Sequence, residues 1–421
     1  MVRLVLVFLC VYFALAPGAA GAAFWPATSA ADARAELAIA GITAAPPVSA
    51  AAWILIDPVG RQVLDSHRAF VSMPPASTTK ILTCLVVLER CDPDEVVVVS
   101  RNAARTGGSR VGLRSGQRLL VRDLLTGLML RSGNDAAVAL AEHVAGSVAD
   151  FAALMNHRAR ELGALATRFV NPHGLPARGH RTTAYDLAVI ARHALTNPEF
   201  RRLVACRESS IGSLDPAWTR LIRNTNQLLW SFEGADGVKT GTTREAGQCL
   251  VASATRGGRQ LIAVVLRSGN RWRDCARLLG HGFDHTRLFL AGQAGDRVTA
   301  VEARDPAAPG AWSGPGTWPW RWPWAGQERA RVDLQLGGDL AFAHSSDHSP
   351  APSLTFSTDP DLRLPLAAGE QVGTALIRDD GRIVAAAPLL ASEAAPRALA
   401  LARLVEQVGA VLKGLLEQGL R

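Results

Sequence analysis

Lysine is the scarcest charged residue in this chain. Of 45 basic side chains only three are lysines, Lys80, Lys239 and Lys413. Arginine keeps its proton in proteins, whereas a lysine in a suitable site can lose it and also offers a compact point charge. The few lysines therefore mark places where those properties are useful. Cysteine is sparse as well. Cys10 lies in an N-terminal apolar run; the other five, Cys84, Cys91, Cys206, Cys249 and Cys275, are odd in number and form no C-x-x-C pair. Neither a disulfide framework nor a zinc pattern is suggested. Cys84 and Cys91 on one helix would stand about 10 Å apart along its axis, too far for a disulfide, so buried thiols are expected. His281/His285 and His344/His348 repeat at i, i+4 spacing with no third ligand, so no metal site and no cofactor are expected. Charge of one sign is nowhere concentrated. The net charge of +8 is spread as arginine along the whole chain, which argues against a nucleic-acid partner. A charged share of 19% beside a hydrophobic share of 48% excludes extensive disorder.

What is present begins with an export pattern. Arg3 precedes an apolar run over 4–15, too short to span a bilayer comfortably, and Ala20-Gly21-Ala22 forms an A-x-A-like cleavage site. Residues 1–22 are read as a signal peptide. Beyond an Ala-rich lead, residues 52–56 and 61–64 read as a hairpin around Asp57-Pro58-Val59-Gly60. A helix opens at or just before Ser77 and carries Ile81, Leu82, Leu85, Val86 and Leu88. Residues 95–99 form a β-rich run. Helices follow over 124–130, capped by Asp123, from Asp135, over 151–162, and from the capping pattern Thr183-Ala184-Tyr185-Asp186 to about 195. Strands are expected at 237–240, 248–255 and 260–266, and a closing helix over 273–289. This is an α+β domain, helices around a largely antiparallel sheet, assigned to 23–295.

Composition changes near residue 305. Residues 306–324 are rich in Pro, Gly and Trp, cannot form a regular helix or central strand, and are read within a linker or loop over 296–330. A small all-β domain is expected over 331–392, with a start as early as 297 left open. Its strands are placed at 331–336, 362–364, 371–378 and 382–387, with Asp379-Asp380-Gly381 as a hairpin turn. Residues 396–421 form one amphipathic helix, with Leu401, Leu404, Val405, Val408, Val411, Leu412 and Leu415 on its apolar face. It suits packing on its own protein, a helical partner, or a membrane surface.

Three short patterns carry chemistry. Ser77-Thr78-Thr79-Lys80 is S-x-x-K at a helix start, where residues three apart share a face. A serine hydroxyl needs a base, and a desolvated neutral lysine can be one. Ser132-Gly133-Asn134 is S-x-N in a turn, offering a hydroxyl to relay a proton and an amide to fix a carbonyl. Lys239-Thr240-Gly241, followed by Thr242, is K-T-G on a strand, where Lys and Thr suit a carboxylate and the glycine leaves room for a chain along the strand edge. Each is weak alone. In this order they are the signature set of penicillin-binding proteins and class A β-lactamases.

The chain further resembles the low-molecular-mass D-alanyl-D-alanine carboxypeptidases, peptidase family S11. Pro75-Ala76-Ser77-Thr78-Thr79-Lys80, Arg131-Ser132-Gly133-Asn134-Asp135-Ala136-Ala137, Asn171-Pro172-His173-Gly174-Leu175, Thr183-Ala184-Tyr185-Asp186-Leu187-Ala188 and Gly237-Val238-Lys239-Thr240-Gly241 match their segments. The resemblance implies the penicillin-binding-protein fold, a C-terminal β domain and a terminal helix lying on the membrane. It implies peptidoglycan stem peptides as substrate, β-lactams as inhibitors and a place on the extracytoplasmic face of a bacterial cell membrane. It also implies roles: Ser77 as nucleophile, Lys80 as base, Ser132 as proton shuttle, and Asn134 as holder of the substrate backbone. Lys239, Thr240 and Arg223 would bind the terminal carboxylate, and backbone N–H groups of Ser77 and Thr242 the oxyanion. A β-lactamase is the runner-up, but residues 167–181 lack the acidic group its deacylation needs. A D,D-endopeptidase or a silent cell-wall scaffold are further alternatives.

Overall fold

The computed structural model describes residues 45–214, 218–304, 329–346, 351–359 and 361–395. The export pattern, the whole Trp/Pro-rich segment 306–324 and the expected terminal amphipathic helix lie outside them.

Strands β1 (Ala52–Asp57) and β2 (Gln62–His67) form the first hairpin. A 3-10 turn, Ala76–Thr79, runs into α1 (Lys80–Leu88). The short β3 (Val96–Val98) pairs with β4 (Arg118–Leu120), separated by α2 (Arg101–Arg105). Helices α3 (Val121–Leu130), α4 (Asn134–Ala145), α5 (Val148–Glu161), α6 (Ala184–Ala194) and α7 (Pro198–Ala205) follow. Thr183 caps α6 as its pattern predicts, accepting from the Asp186 N–H. Asp123 does not cap α3. The strand β4 leads directly into that helix, so the cap position falls to Leu120 and Asp123 sits in the first turn. Next come the hairpin β5 (Glu208–Gly212) and β6 (Thr219–Arg223), the short α8 (Leu228–Ser231), and strands β7 (Ala235–Thr243), β8 (Gly247–Arg256) and β9 (Arg259–Ser268).

Strands β2-β1-β9-β8-β7 make one antiparallel sheet in that order, with β7 at an edge. Strict alternation divides it between two cores. Ile262, Val264 and Leu266 of β9 face the helical layer with Ile81, Leu85 and Leu128, while Leu261, Ala263 and Val265 face α9 (Arg271–His285) and its Cys275, Leu278 and Leu279. The sheet is thus buried on both faces. Its edge strand β7 lies against the turn that carries Ser77.

The closing helix ends at His285, not near 289. Thr286 starts β10 (Thr286–Gly292), which pairs with β13 (Leu340–Ser345). Thr286 Oγ1 bonds back to the Gly282 carbonyl at 2.6 Å, occupying an acceptor of the last turn. Strand β11 (Arg297–Arg304) pairs with β12 (Arg329–Leu336), so the β domain begins near 297 and the described part of the expected linker is strand. With β14 (Ser353–Thr358), β15 (Gln371–Asp379) and β16 (Arg382–Ala391) they form a five-stranded sheet, β11-β12-β16-β15-β14. The 362–364 segment is no strand: Leu362 and Leu364 are buried in the core of this sheet as loop residues. Asp380 and Gly381 both have positive φ, 48° and 74°, the two-residue turn that suits the right-handed twist of a hairpin. Strand β13 links the two domains, with Ala343 in the core beneath α9 and Phe342 in the β-domain core.

Candidate active site

The site is built where the Ser77 turn, the α3–α4 junction, the 171–175 loop and β7 meet. The 3-10 turn and α1 place Ser77 at the surface of the cleft, half-buried, and Lys80 one turn inward with no exposed surface. Ala76, just before the nucleophile, has φ 48°, and Ser132 has φ 64°. Such left-handed non-glycine residues cost roughly 1–3 kcal/mol each and persist only where the surroundings impose them.

Lys80 Nζ has three neighbours: Ser77 Oγ at 3.0 Å, Asn134 Oδ1 at 2.7 Å and the His173 carbonyl at 2.7 Å. Two of these are carbonyl oxygens and can only accept. A neutral amine has two N–H groups and one lone pair. The N–H groups fit Asn134 and His173, and the lone pair then faces the Ser77 hydroxyl. Burial, then the charge of Lys239, push the Lys80 pKa well below its ordinary value, with Asp135 acting in the opposite sense. Geometry and electrostatics therefore agree on an amine placed to take the Ser77 proton.

Each acceptor is held from behind. Asn134 opens α4, is 2% exposed, and donates its Nδ2 to the Gly107 carbonyl at 2.7 Å. Its amide thus also anchors Lys80, beside the substrate-holding role that the resemblance implies. The next residue, Asp135, is fully buried and accepts the N–H groups of Val111, Gly112, Leu113 and Ala136 at 2.8–3.0 Å. That carboxylate fixes the 107–113 loop over the S-x-N turn. Ser132 stands in this turn, 6% exposed.

The 171–175 loop delivers the His173 carbonyl. Asn171 shapes it, accepting from the His173 and Gly174 N–H groups and donating to the Leu175 carbonyl. Thr83 of α1 donates to the Pro172 carbonyl at 2.7 Å. Gly174 has φ 86°, and a methyl group there would lie 1.8 Å from the Ala76 carbonyl oxygen. Only glycine lets the loop approach the nucleophile turn this closely. His180 completes the support. Its Nδ1 accepts the Val170 N–H at 3.0 Å, so Nε2 carries the proton and donates to Thr79 Oγ1 at 2.9 Å, which donates to the Ala76 carbonyl. Burial and the Lys80 charge lower the His180 pKa to about 4, in keeping with this neutral ring.

On the other side runs β7. A Cβ on Gly241 would be 3.0 Å from the Ser77 backbone nitrogen, so the strand edge passes directly beside the nucleophile. Lys239, 1% exposed, donates to the Thr240 carbonyl at 3.1 Å, and burial and the Arg271 charge bring its pKa down to about 7. Thr240 Oγ1 is 2.8 Å from Thr225 Oγ1. Thr242 Oγ1 accepts from Arg271 Nη1 at 2.7 Å, and the same nitrogen donates to the Gly241 carbonyl at 2.8 Å.

Arg223 is engaged elsewhere. Strand alternation at the end of β6 turns Ile222 inward and Arg223 outward, where its side chain is 68% exposed, pairs with Glu208 at 3.4 Å and lies 4.8 Å over the Trp230 ring. The arginine beside K-T-G is Arg271, the first residue of α9. No linear spacing pointed to it. The strand order β9-β8-β7 brings the start of α9 behind the K-T-G strand.

The chain was compared with known proteins. The family model "Peptidase_S11: D-alanyl-D-alanine carboxypeptidase" matches residues 40–270. D-alanyl-D-alanine carboxypeptidase DacC of Escherichia coli is 35% identical, over 83% of this chain and 85% of that protein. DacF of Bacillus subtilis is 29% identical, over 81% and 84%. Among solved structures, penicillin binding protein 5 from Haemophilus influenzae aligns with a TM-score of 0.69 at 27% identity, covering 85% of this chain and all of that one. Penicillin binding protein 6B from Escherichia coli aligns at 0.62 and 28%, covering 83% and 98%.

Proposed function

The chain belongs to the D-alanyl-D-alanine carboxypeptidases of peptidase family S11, and we propose that it removes the terminal D-alanine of peptidoglycan pentapeptides through an acyl-enzyme on Ser77. The observation that carries the proposal is the environment of Lys80 Nζ, whose two carbonyl acceptors leave the amine lone pair for the Ser77 hydroxyl. Lys80 takes the proton as Ser77 Oγ bonds to the carbonyl carbon between the two D-alanines. The backbone N–H groups of Ser77 and Thr242 stabilise the oxyanion, an effect often worth about 3 kcal/mol per donor. Ser132 relays the proton to the departing amine, the C–N bond breaks and D-alanine leaves. Water, deprotonated by the same base, then cleaves the ester and restores Ser77. Lys239 and Thr240 hold the substrate carboxylate, with Arg271 behind them. A β-lactam presents a carbonyl and carboxylate in similar relation and acylates Ser77 in the same way.

The experiment is release of D-alanine from a pentapeptide ending in D-Ala-D-Ala, alongside labelling with a tagged penicillin. Both are expected in the wild type and neither in Ser77→Ala. Label retained by Ser77→Ala would refute the assignment. Rapid penicillin hydrolysis without D-alanine release would favour the β-lactamase reading, for which residues 167–181 supply no carboxylate.

Export and peripheral attachment to the outer face of the cell membrane complete the proposal. The 1–22 pattern and the amphipathic 396–421 segment support it. Among the described residues no single helix is long and apolar enough to cross a membrane. Deleting residues 398–421 should move the protein from the membrane fraction to the soluble one; retention in the membrane would place the anchor elsewhere.

A further inference from the structure

A second group of reactive side chains lies at the far ends of the helices that carry the catalytic centre. Cys91 follows α1, its N–H bonded to the Val87 carbonyl at 3.0 Å. Glu95 ends the tight turn after it, its own N–H bonded to the Asp92 carbonyl at 3.1 Å and its carbonyl accepting the Val121 N–H at 3.0 Å. His143 comes from the last turn of α4. Their ligand atoms all lie within 4.8 Å of one another.

We propose that Cys91, Glu95 and His143 form a binding site for a borderline-soft divalent cation of the Zn2+ class, through Sγ, Oε2 and Nε2, with water as fourth ligand. The donor set is the argument: a thiolate, an imidazole and a carboxylate together favour zinc over hard cations such as Mg2+ or Ca2+. Thiolate and carboxylate also neutralise a 2+ ion. Tetrahedral zinc separates its ligand atoms by roughly 3.3–3.6 Å, given bonds of about 2.0–2.3 Å. The widest separations must close by about 1 Å, and the Oε2–Nε2 pair, now 2.8 Å apart, must open by about 0.5 Å to admit the ion between them. The carboxylate is already oriented: Oε1 accepts the Asp92 N–H at 2.7 Å, leaving Oε2 to face His143 Nε2 at 2.8 Å. Such outer contacts fix a metal-binding carboxylate. A cavity of about 510 Å³ lined by Cys91, Glu95 and His143 with Glu89, Arg90, Val144 and Leu154 gives entry and room for the water. On binding, the Cys91 thiol releases its proton to solvent as the S–metal bond forms. The His143 ring moves its proton from Nε2 to Nδ1, with no net loss. The ion would clasp the end of α1 to the end of α4, the two helices whose opposite ends bring Lys80 to Asn134.

The test uses the full chain and the metal alone. Titration with Co2+ should produce a thiolate-to-cobalt charge-transfer band with the intense visible bands of a tetrahedral site, and Zn2+ should abolish them. The bands should vanish in Cys91→Ser and remain in Cys206→Ser, the control for the other partly exposed thiol. In the unaltered protein, saturating Zn2+ should slow alkylation of Cys91 on the order of tenfold while leaving Cys206 unchanged. No charge-transfer band in the wild type, a band that survives Cys91→Ser, or Cys91 alkylation indifferent to Zn2+ would each overturn the site. The alkylation arm decides even if Cys91→Ser fails to fold.

Discussion

The contact between Gly174 and the nucleophile turn yields the sharpest prediction. Replacing Gly174 by alanine puts a methyl 1.8 Å from the Ala76 oxygen and 2.3 Å from its carbonyl carbon. Both partners are backbone, so no side-chain rotation relieves the clash. A carbon meets a carbonyl oxygen comfortably at about 3.3–3.6 Å, so the 171–175 loop must retreat by roughly 1.5 Å. The positive φ of 86° adds about 1–2 kcal/mol for any residue with a Cβ. His173 lies in this loop, and its carbonyl is one of the two acceptors that orient the Lys80 amine. Withdrawing it breaks a 2.7 Å hydrogen bond and frees the amine to rotate away from Ser77. A misplacement of about 1 Å at a reacting group can cost on the order of 100-fold. Gly174→Ala should therefore slow acylation by labelled penicillin by roughly 10²-fold or more, with the protein still folded by circular dichroism. Stopped-flow acylation is the assay. A folded Gly174→Ala that acylates within a factor of about three of wild type would refute the claim that this contact positions the base.

Two more predictions concern charge. Lys239 must be protonated to attract a carboxylate, and its pKa is drawn down to about 7, so kcat/KM should fall as pH rises through that value, because kcat/KM reports the free enzyme. Lys80 must be neutral, so its lowered pKa sets the acid limb. Lys239→Arg, whose guanidinium does not titrate in this range, should abolish the alkaline limb in a pH profile of D-alanine release; an unchanged profile would reject Lys239 as its source. Asp135→Asn replaces one acceptor oxygen by an NH2 group that faces backbone N–H donors. A loss of about 3 kcal/mol is expected, read as a fall in Tm of roughly 6–12 °C, together with slower acylation as Gly107 releases Asn134. A Tm within about 2 °C of wild type would show that the nest of N–H groups is not what holds the 107–113 loop.

The sequence made the central hairpin, the α1 helix, the K-T-G strand and the serine–lysine centre legible because each rests on local information. Alternating apolar residues define β8 and β9, and three-residue spacing puts Lys80 over Ser77. What stayed hidden depends on partners distant in the chain. β10 reads as the tail of a helix until β13 is there to pair with it. Arg223 and Arg271 look alike in sequence, and only the order of strands puts one of them behind Thr242. Asn134 was legible as a polar residue at the cleft, but its engagement with Lys80 depends on the Gly107 carbonyl, 27 residues away. The support from Asp135 and His180 has no spacing rule, since their partners lie on other segments of the chain, whereas Asn171 bonds only two to four residues ahead within its own loop.

The two buried lysines also explain each other. Lys80 and Lys239 are both fully desolvated, a condition that penalises an ammonium. Their charges repel, and the Lys239 charge is the second cause of the lowered Lys80 pKa. The division of labour follows: the lysine that must stay charged for a carboxylate helps to keep the other one neutral for proton abstraction. The arrangement opposes folding. Both pKa values lie below that of a lysine in an unfolded chain, so the unfolded chain holds more protons in the interval between them, and stability falls as pH drops through it. An arginine at position 80 could not serve, since it would keep its proton and offer no lone pair to Ser77. In a chain that otherwise uses arginine for positive charge, one of the three lysines, Lys80, stands where a titratable amine is required. A lysine at position 80, against that compositional bias, is what chemistry at Ser77 demands, because neither the base nor its neutral state is available from the residue the rest of the chain prefers.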